Sequence, residues 1–257
     1  MMQEVRQASI LNILHENGSV KIKDLAKQFD VSIVTVRRDL DELAADGLVT
    51  KVYGGAVMPQ RYRAGCLQIL DASASSHRRE KELIGAAAAA LVQEGETILL
   101  DIGETVLEVA KNIRNYQSIT ILTPSVPVLT EMSSTNLPIY SLGGCMRNRE
   151  MAFYGSLALY ALNQFCVDKA FIGCGGCTIA HGITDYSSDS AELHTAVAQR
   201  AKQSILVTDS SKFGRDAFAV IGPIDCVDMV ITDSGISAEY AEAIRSIGVD
   251  LKIVDVK

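Results

Sequence analysis

Residues Ser19–Val57 read SVKIKDLAKQFDVSIVTVRRDLDELAADGLVTKVYGGAV, placing two helix patterns, a tight turn and a basic Gly-Gly hairpin in under forty residues. The second helix opens at Ser32, an oxygen-bearing N-cap, and carries Val36, Leu40 and Leu43 at helical spacing for a buried face. Around that stripe sit Thr35, Arg37 and Arg38, donors suited to base edges and phosphates. The pattern is a helix-turn-helix with a wing, and the partner it points to is DNA.

Working outward, a first helix is expected from about Glu4 to His15, with Ile10, Ile13 and Leu14 on one face and Gly18 ending it. Val20 and Lys21 form a short extended piece. Helix two runs from Ile22 to about Phe29 and buries Leu25 and Phe29, and Asp30-Val31 make the turn. Helix three runs from Ser32 to about Asp46, stopped by Gly47, and Leu48–Val57 reads as a hairpin around Gly54-Gly55. The segment Ser32–Arg38 is expected to enter the major groove. There Ile33 and Val34 either meet thymine methyl groups or pack on helix one. One of Arg37 and Arg38 reaches a base or phosphate, while the other pairs with Asp41 or Glu42 across a helical turn. Lys51 and Tyr53 on the wing touch backbone or minor groove. The DNA-binding candidates are therefore Ser32, Ile33, Val34, Thr35, Arg37, Arg38, Lys51 and Tyr53.

The net charge of −7 looks wrong for a DNA binder until it is divided. Residues 1–63 hold nine Lys/Arg and eight Asp/Glu, giving +1, and residues 64–257 hold fifteen against twenty-three, giving −8. So mild a positive charge calls for two or more copies on DNA, which makes a homo-oligomer, dimer or tetramer, the expectation. The N-terminal MMQEVRQ lacks the apolar core of a secretion signal, and the run Leu83–Val92 (LIGAAAAALV) is too short to cross a bilayer. A cytoplasmic protein with no membrane partner is expected.

Six cysteines lie at 66, 145, 166, 174, 177 and 226. Cys174-Gly-Gly-Cys177 with His181 could be half a zinc site or a redox pair, but no second cysteine pair completes four ligands. Small buried side chains beside a glycine turn is the better reading, and neither metal nor cofactor is expected.

Pro59 ends the N-terminal module. The expected organisation is a winged helix-turn-helix domain at 1–58, a linker at 59–77 and an α/β domain at 78–257. In the last, helices and short apolar strands alternate from Arg79 to Val254, implying a mostly parallel sheet covered by helices on both faces. The alanine run Ala86–Ala90 favours helix and close packing, in the core or at a subunit contact.

Ligands of open α/β sheets bind beyond the carboxyl ends of the strands. Those ends carry Asp101-Ile-Gly103-Glu-Thr105, Thr123-Pro-Ser125, Gly143-Gly144 with Arg147, Gly173-Cys-Gly-Gly176 and Asp209-Ser-Ser-Lys212. Glycine turns and helix starts offer backbone N–H groups to a phosphate, Thr105 and Ser125 offer hydroxyls, and Arg147 and Lys212 offer charge. Asp101 and Asp209 accept from hydroxyls, so a sugar phosphate fits the set better than an apolar ligand. Caps and turns explain such residues loop by loop, but less well for five loops on one edge. The effector candidates are Asp101, Gly103, Thr105, Ser125, Gly143, Gly144, Arg147, Gly173, Gly176, Asp209 and Lys212. No dinucleotide fingerprint, Walker loop or nucleophile elbow is present. His15, His77, His181 and His194 are too dispersed for a triad and read as surface or satisfied core residues.

With these residues in hand, the sequence resembles the DeoR family of bacterial transcription regulators over almost its whole length. Val31-Ser32, Thr35-Val36-Arg37-Arg38-Asp39-Leu40 and Gly54-Gly55-Ala56 carry the resemblance in the first part. Asp209-Ser-Ser-Lys212-Phe213-Gly214 and Val230-Ile231-Thr232-Asp233 carry it in the second, which is similar to the family's effector domain and shares a fold with sugar-phosphate isomerases. The resemblance implies a repressor of a carbohydrate-utilisation operon, bound to double-stranded operator DNA and controlled by a phosphorylated sugar. It puts Asp101, Gly103 and Thr105 in the effector loop, with Gly143, Gly144, Asp209 and Lys212 around the cleft. Three positions depart from the family pattern: Glu104 and Pro124 stand where Thr and Asn are usual, and His194 where Lys is common. A carboxylate at 104 is expected to repel phosphate. The rival readings are a sugar-phosphate isomerase-like enzyme and a ligand-independent DNA-binding protein.

Overall fold

A computed structural model describes residues 6–256 apart from 8, 11, 12, 15–18, 46–48, 53, 58–76 and 149. The chain divides into two compact units, Met1–Ser73 and Ala74–Lys257. Of the expected linker at 59–77, only His77 is among the described residues.

In the first unit, residues 6, 7, 9, 10, 13 and 14 are helical. Strand β1 (Ser19–Lys21) runs straight into α1 (Ile22–Gln28), and α2 (Ile33–Ala45) follows a short turn. Asp30 makes that turn at φ 52°, a left-handed conformation Asp tolerates better than most residues. Ser32 caps α2, its Oγ accepting from the Thr35 N–H at 3.1 Å. Val36, Leu40 and Leu43 share one core with Ile10, Leu14, Leu25 and Ala56, as the helical spacing requires. Strands β2 (Thr50–Val52) and β3 (Gly55–Val57) form the wing. The extended piece at Val20-Lys21 proves to be a third strand: β1 pairs antiparallel with β3, giving the order β1-β3-β2. A Cβ on Gly55 would lie 1.9 Å from the Val20 carbonyl oxygen, so the approach of β1 sets this glycine.

The second unit is built on seven strands: β4 (Thr97–Leu100), β5 (Thr120–Thr123), β6 (Ile139–Ser141), β9 (Val167–Ile172), β12 (Ala201–Val207), β14 (Met229–Asp233) and β15 (Asp250–Val254). They lie in the order β15-β14-β12-β9-β4-β5-β6, and every pairing is parallel. Alternate residues of each strand feed opposite faces. Ile98, Leu100, Ile121 and Phe171 pack under α3 (Arg78–Ala89), α4 (Glu104–Asn112) and α5 (Val126–Met132). On the other face, Leu99, Leu122, Ala170 and Ile172 pack under α6 (Ser156–Leu162), α7 (Ser188–Arg200) and α8 (Ala238–Ser246). The small residues of α3 let it approach α4 closely: a Cβ on Gly85 would lie 2.5 Å from the Glu108 Cβ.

Two antiparallel additions do not show in the sequence pattern. One is the hairpin β7 (Cys145–Arg147) and β8 (Ala152–Tyr154). The other is a sheet ordered β10-β11-β13, from Gly176–Thr178, Gly182–Asp185 and Ala219–Gly222.

Candidate functional site

The first candidate surface is the N-terminal turn of α2. Ile33 and Val34 are 41% and 73% exposed, so they stand out from the module rather than packing on the first helix. The Ser32 and Thr35 hydroxyls lie 2.9 Å apart, holding the cap closed. Arg38 Nε is 3.4 Å from Glu42 Oε1, one helical turn on, while Arg37 has no ion-pair partner among the described residues. Of the two arginines, Arg37 is therefore the readier to reach a base edge. Lys51 on β2 pairs with Asp41 on α2, which sets the wing's cation beside this helix. Tyr53 lies outside the described residues.

Behind this surface Asp39 faces inward, 1% exposed, where Arg6 donates to both its oxygens at 2.6 and 3.0 Å. This forked pair ties the N-terminal helical residues to α2.

The second candidate is a topological switch point. From β4 the chain winds through β5 to β6, and from β9 it winds the opposite way through β12 to β14, so the reversal falls between β4 and β9. In open α/β sheets such a switch point, at the carboxyl ends of the strands, is where ligands bind. Asp101 follows β4 and donates its N–H to Phe171 O of β9 at 3.1 Å. Gly173 follows β9, and a Cβ there would lie 2.6 Å from Ile102 O. These two loops therefore touch.

Around them, Gly103 (φ +129°) starts α4 and Thr105 is buried in its first turn. Ser125 caps α5, accepting from Val128 N at 3.4 Å. Gly143 and Gly144 turn at positive φ, with Gly144 packed on Tyr154 O. Asp209, after β12, accepts from Ser211 N at 3.1 Å, and Lys212 Nζ lies 3.4 Å from the Tyr186 hydroxyl. Parallel pairing gathers the loops after β4, β5, β6, β9 and β12 on one edge. Arg147 and Gly176 stand apart on the antiparallel additions. Arg147 on β7 pairs with Asp189, and Gly176 on β10 is set by backbone approach, since a Cβ would lie 2.2 Å from Arg215 O.

Several residues of this region escaped the strand-end reading. His194 on α7 is 2% exposed, with Nε2 3.1 Å from Asp101 Oδ2 and Nδ1 3.3 Å from Asp185 Oδ2. It is thus neither a surface nor a satisfied core histidine: the contacts are off line, and neither ring nitrogen nor either Asp101 oxygen has an aligned hydrogen bond. Burial lifts the Asp101 carboxyl to about 6 against the opposing pulls of His194 and the Ile102 backbone N–H. The signal was there: Ala191, His194, Val197 and Ala198 share the buried face of α7. Lys81 is the other omission. Its Nζ donates to Glu104 Oε2 at 2.6 Å, so the carboxylate expected to repel phosphate is neutralised in place.

Cys174 and Cys177 do not converge on a shared ligand. Cys174 Sγ lies 3.4 Å from Thr208 Oγ1, Cys177 sits in the core, and His181 turns to Asp216 at 2.9 Å. Burial pushes the two thiols up to about 11 and about 12, keeping both protonated at neutral pH.

Residues 6–61 match the family model described as a DeoR-like helix-turn-helix domain, and residues 76–234 match the DeoR C terminal sensor domain. The chain is 33% identical to the transcriptional repressor AccR of Agrobacterium fabrum, covering 90% of this chain and 89% of that one. It is 30% identical to the putative aga operon transcriptional repressor of Escherichia coli O157:H7, over 97% and 93% of the two chains. It is also 30% identical to the glycerol-3-phosphate regulon repressor of Escherichia coli K12, over 91% and 92%. Among solved structures, ribose 5-phosphate isomerase A from Methanocaldococcus jannaschii aligns over 54% of this chain and 55% of its own, at 17% identity and a TM-score of 0.41.

Proposed function

The chain belongs to the DeoR family of transcriptional repressors and is not an enzyme; from that premise we propose that it represses a carbohydrate-utilisation operon under the control of a phosphorylated sugar. Residues 1–58 bind double-stranded operator DNA, 59–77 link, and 78–257 hold the effector and assemble the chain as a homo-oligomer in the cytoplasm. No helix among the described residues is long and apolar enough to cross a membrane.

The observation that carries the effector reading is the meeting of the Asp101–Thr105 and Gly173 loops at the sheet's switch point. Gly103, at the start of α4, is placed to offer its backbone N–H to a phosphate there, and Lys81 removes the repulsion that Glu104 would exert. A relative named for the glycerol-3-phosphate regulon fits the same ligand class. On DNA, Ser32–Arg38 enters the major groove and Lys51 and Tyr53 touch backbone or minor groove. Two modules must dock on half-sites about one helical turn apart, or a multiple of it, so a small reorientation breaks simultaneous binding. The effector acts only in so far as it prefers the DNA-incompetent state.

The test is anisotropy of labelled DNA from upstream of the protein's own gene, with and without a panel of sugar phosphates. Salt-dependent, sequence-selective binding released by one sugar phosphate is expected. Tight binding that none of them alters would leave a ligand-independent DNA-binding protein.

A further inference from the structure

Buried polar atoms in folded proteins almost always find a hydrogen-bond partner, and those that do not call for an explanation, a bound ligand among them. Among the described residues six buried side-chain atoms lack one, and five of the six belong to Asp101, His194 and Tyr154. Asp101 is fully buried, and His194 and Tyr154 are each 2% exposed. His194 stands 3.1 Å from Asp101, and the Tyr154 hydroxyl, on β8, feels the charge of Asp101 and Asp185. The three residues come from β4's loop, α7 and β8, so only the tertiary fold collects them.

Their chemistry is specific. The Asp101 carboxylate accepts only, the Tyr154 hydroxyl can donate, and the His194 ring presents two nitrogens that can donate or accept. A phosphate brings acceptors and negative charge, which Asp101 opposes. A carbon chain bearing hydroxyls brings groups that both donate and accept, and so meets every unsatisfied atom. We infer that Asp101, His194 and Tyr154 read adjacent hydroxyls of the effector's sugar chain and are the residues that set which sugar is bound. The phosphate lies away from them, against the glycine turns and the start of α4. His194 in place of the family's common lysine swaps a fixed cation for a ring that both donates and accepts, which shifts recognition from charge toward hydroxyls. This inference rests on the sugar-phosphate reading above.

The test is calorimetric titration of the full chain and of Tyr154→Phe and Asp101→Asn with ribose 5-phosphate, glucose 6-phosphate, fructose 6-phosphate, glycerol 3-phosphate and inorganic phosphate. Thermal unfolding checks that both variants fold. Tyr154→Phe is expected to weaken the best-binding sugar phosphate about 10-fold and Asp101→Asn about 10- to 100-fold, neither altering competition by inorganic phosphate. Unchanged sugar affinity in both variants overturns the inference and leaves the sugar-phosphate reading standing. An equal loss for inorganic phosphate overturns it too, because the variants would then have damaged the whole crevice. If none of the sugar phosphates binds the unaltered chain, the sugar-phosphate reading falls and this inference with it.

Discussion

The DNA-binding module and the sensor domain each bury a carboxylate against a basic side chain, with opposite results. Asp39 receives two aligned bonds from Arg6, at 2.6 and 3.0 Å. Asp101 faces His194 at 3.1 Å without an aligned bond, and burial lifts its carboxyl to about 6. The first pair is scaffold, tying the N-terminal helical residues to α2. The second holds a charge that the protein alone leaves poorly solvated, an arrangement that invites a ligand. Satisfaction of the hydrogen bonds, more than burial or charge, separates the two roles.

The sharpest way to break this comparison is to remove each carboxylate. Asp39→Ala removes both bonds that buried Arg6 donates to this carboxylate, and is expected to destabilise the first unit by about 3–5 kcal/mol and abolish operator binding. Denaturant unfolding followed by a probe in that unit reads it, and a midpoint unmoved from the parent's would rule out the scaffold role.

Asp101→Asn should have the opposite sign. The native carboxyl titrates at about 6 against an ordinary value of 3.8, so the native chain holds a proton that the unfolded chain releases. Stability is full below about pH 4 and falls as pH rises through about 6. The amide carries no charge, so this variant is expected to exceed the parent by up to about 3 kcal/mol near pH 7.5 and to match it near pH 4. Parallel stability curves for the two proteins across this range would show that Asp101 carries no buried charge.

Two smaller effects sharpen the picture of the DNA face. Arg37→Ala is expected to cost about 1–3 kcal/mol of specific operator affinity, more than Arg38→Ala, whose side chain is 80% exposed and shared with Glu42. Anisotropy on operator and scrambled DNA separates the two, and equal losses on both sequences would assign Arg37 to phosphate instead. Ser32→Ala removes the cap of α2 and is expected to lower the stability of the first unit by about 1 kcal/mol.

The first unit was the more legible because its signals are local. The N-cap at Ser32, the stripe Val36, Leu40 and Leu43 and the turn at Asp30 each act within one or two helical turns. The third strand of the wing escaped notice because β1 has three residues and its partner lies beyond two helices. The additions β7–β8 and β10-β11-β13 were missed likewise, since strands as short as Gly-Cys-Thr have no alternation to read.

By itself the sequence determined the winged helix-turn-helix, the alternating helices and strands that follow, and the strand-end loops a ligand would use. Helical spacing, caps and glycine turns are decided by neighbours along the chain. Only the tertiary structure decided where the winding reverses, that Lys81 neutralises Glu104, and that Asp101 and His194 meet in the interior while Tyr154 is buried unsatisfied. Those facts depend on residues 23 to 93 positions apart in the sequence, and burial in a shared low-dielectric interior gives them their chemical meaning.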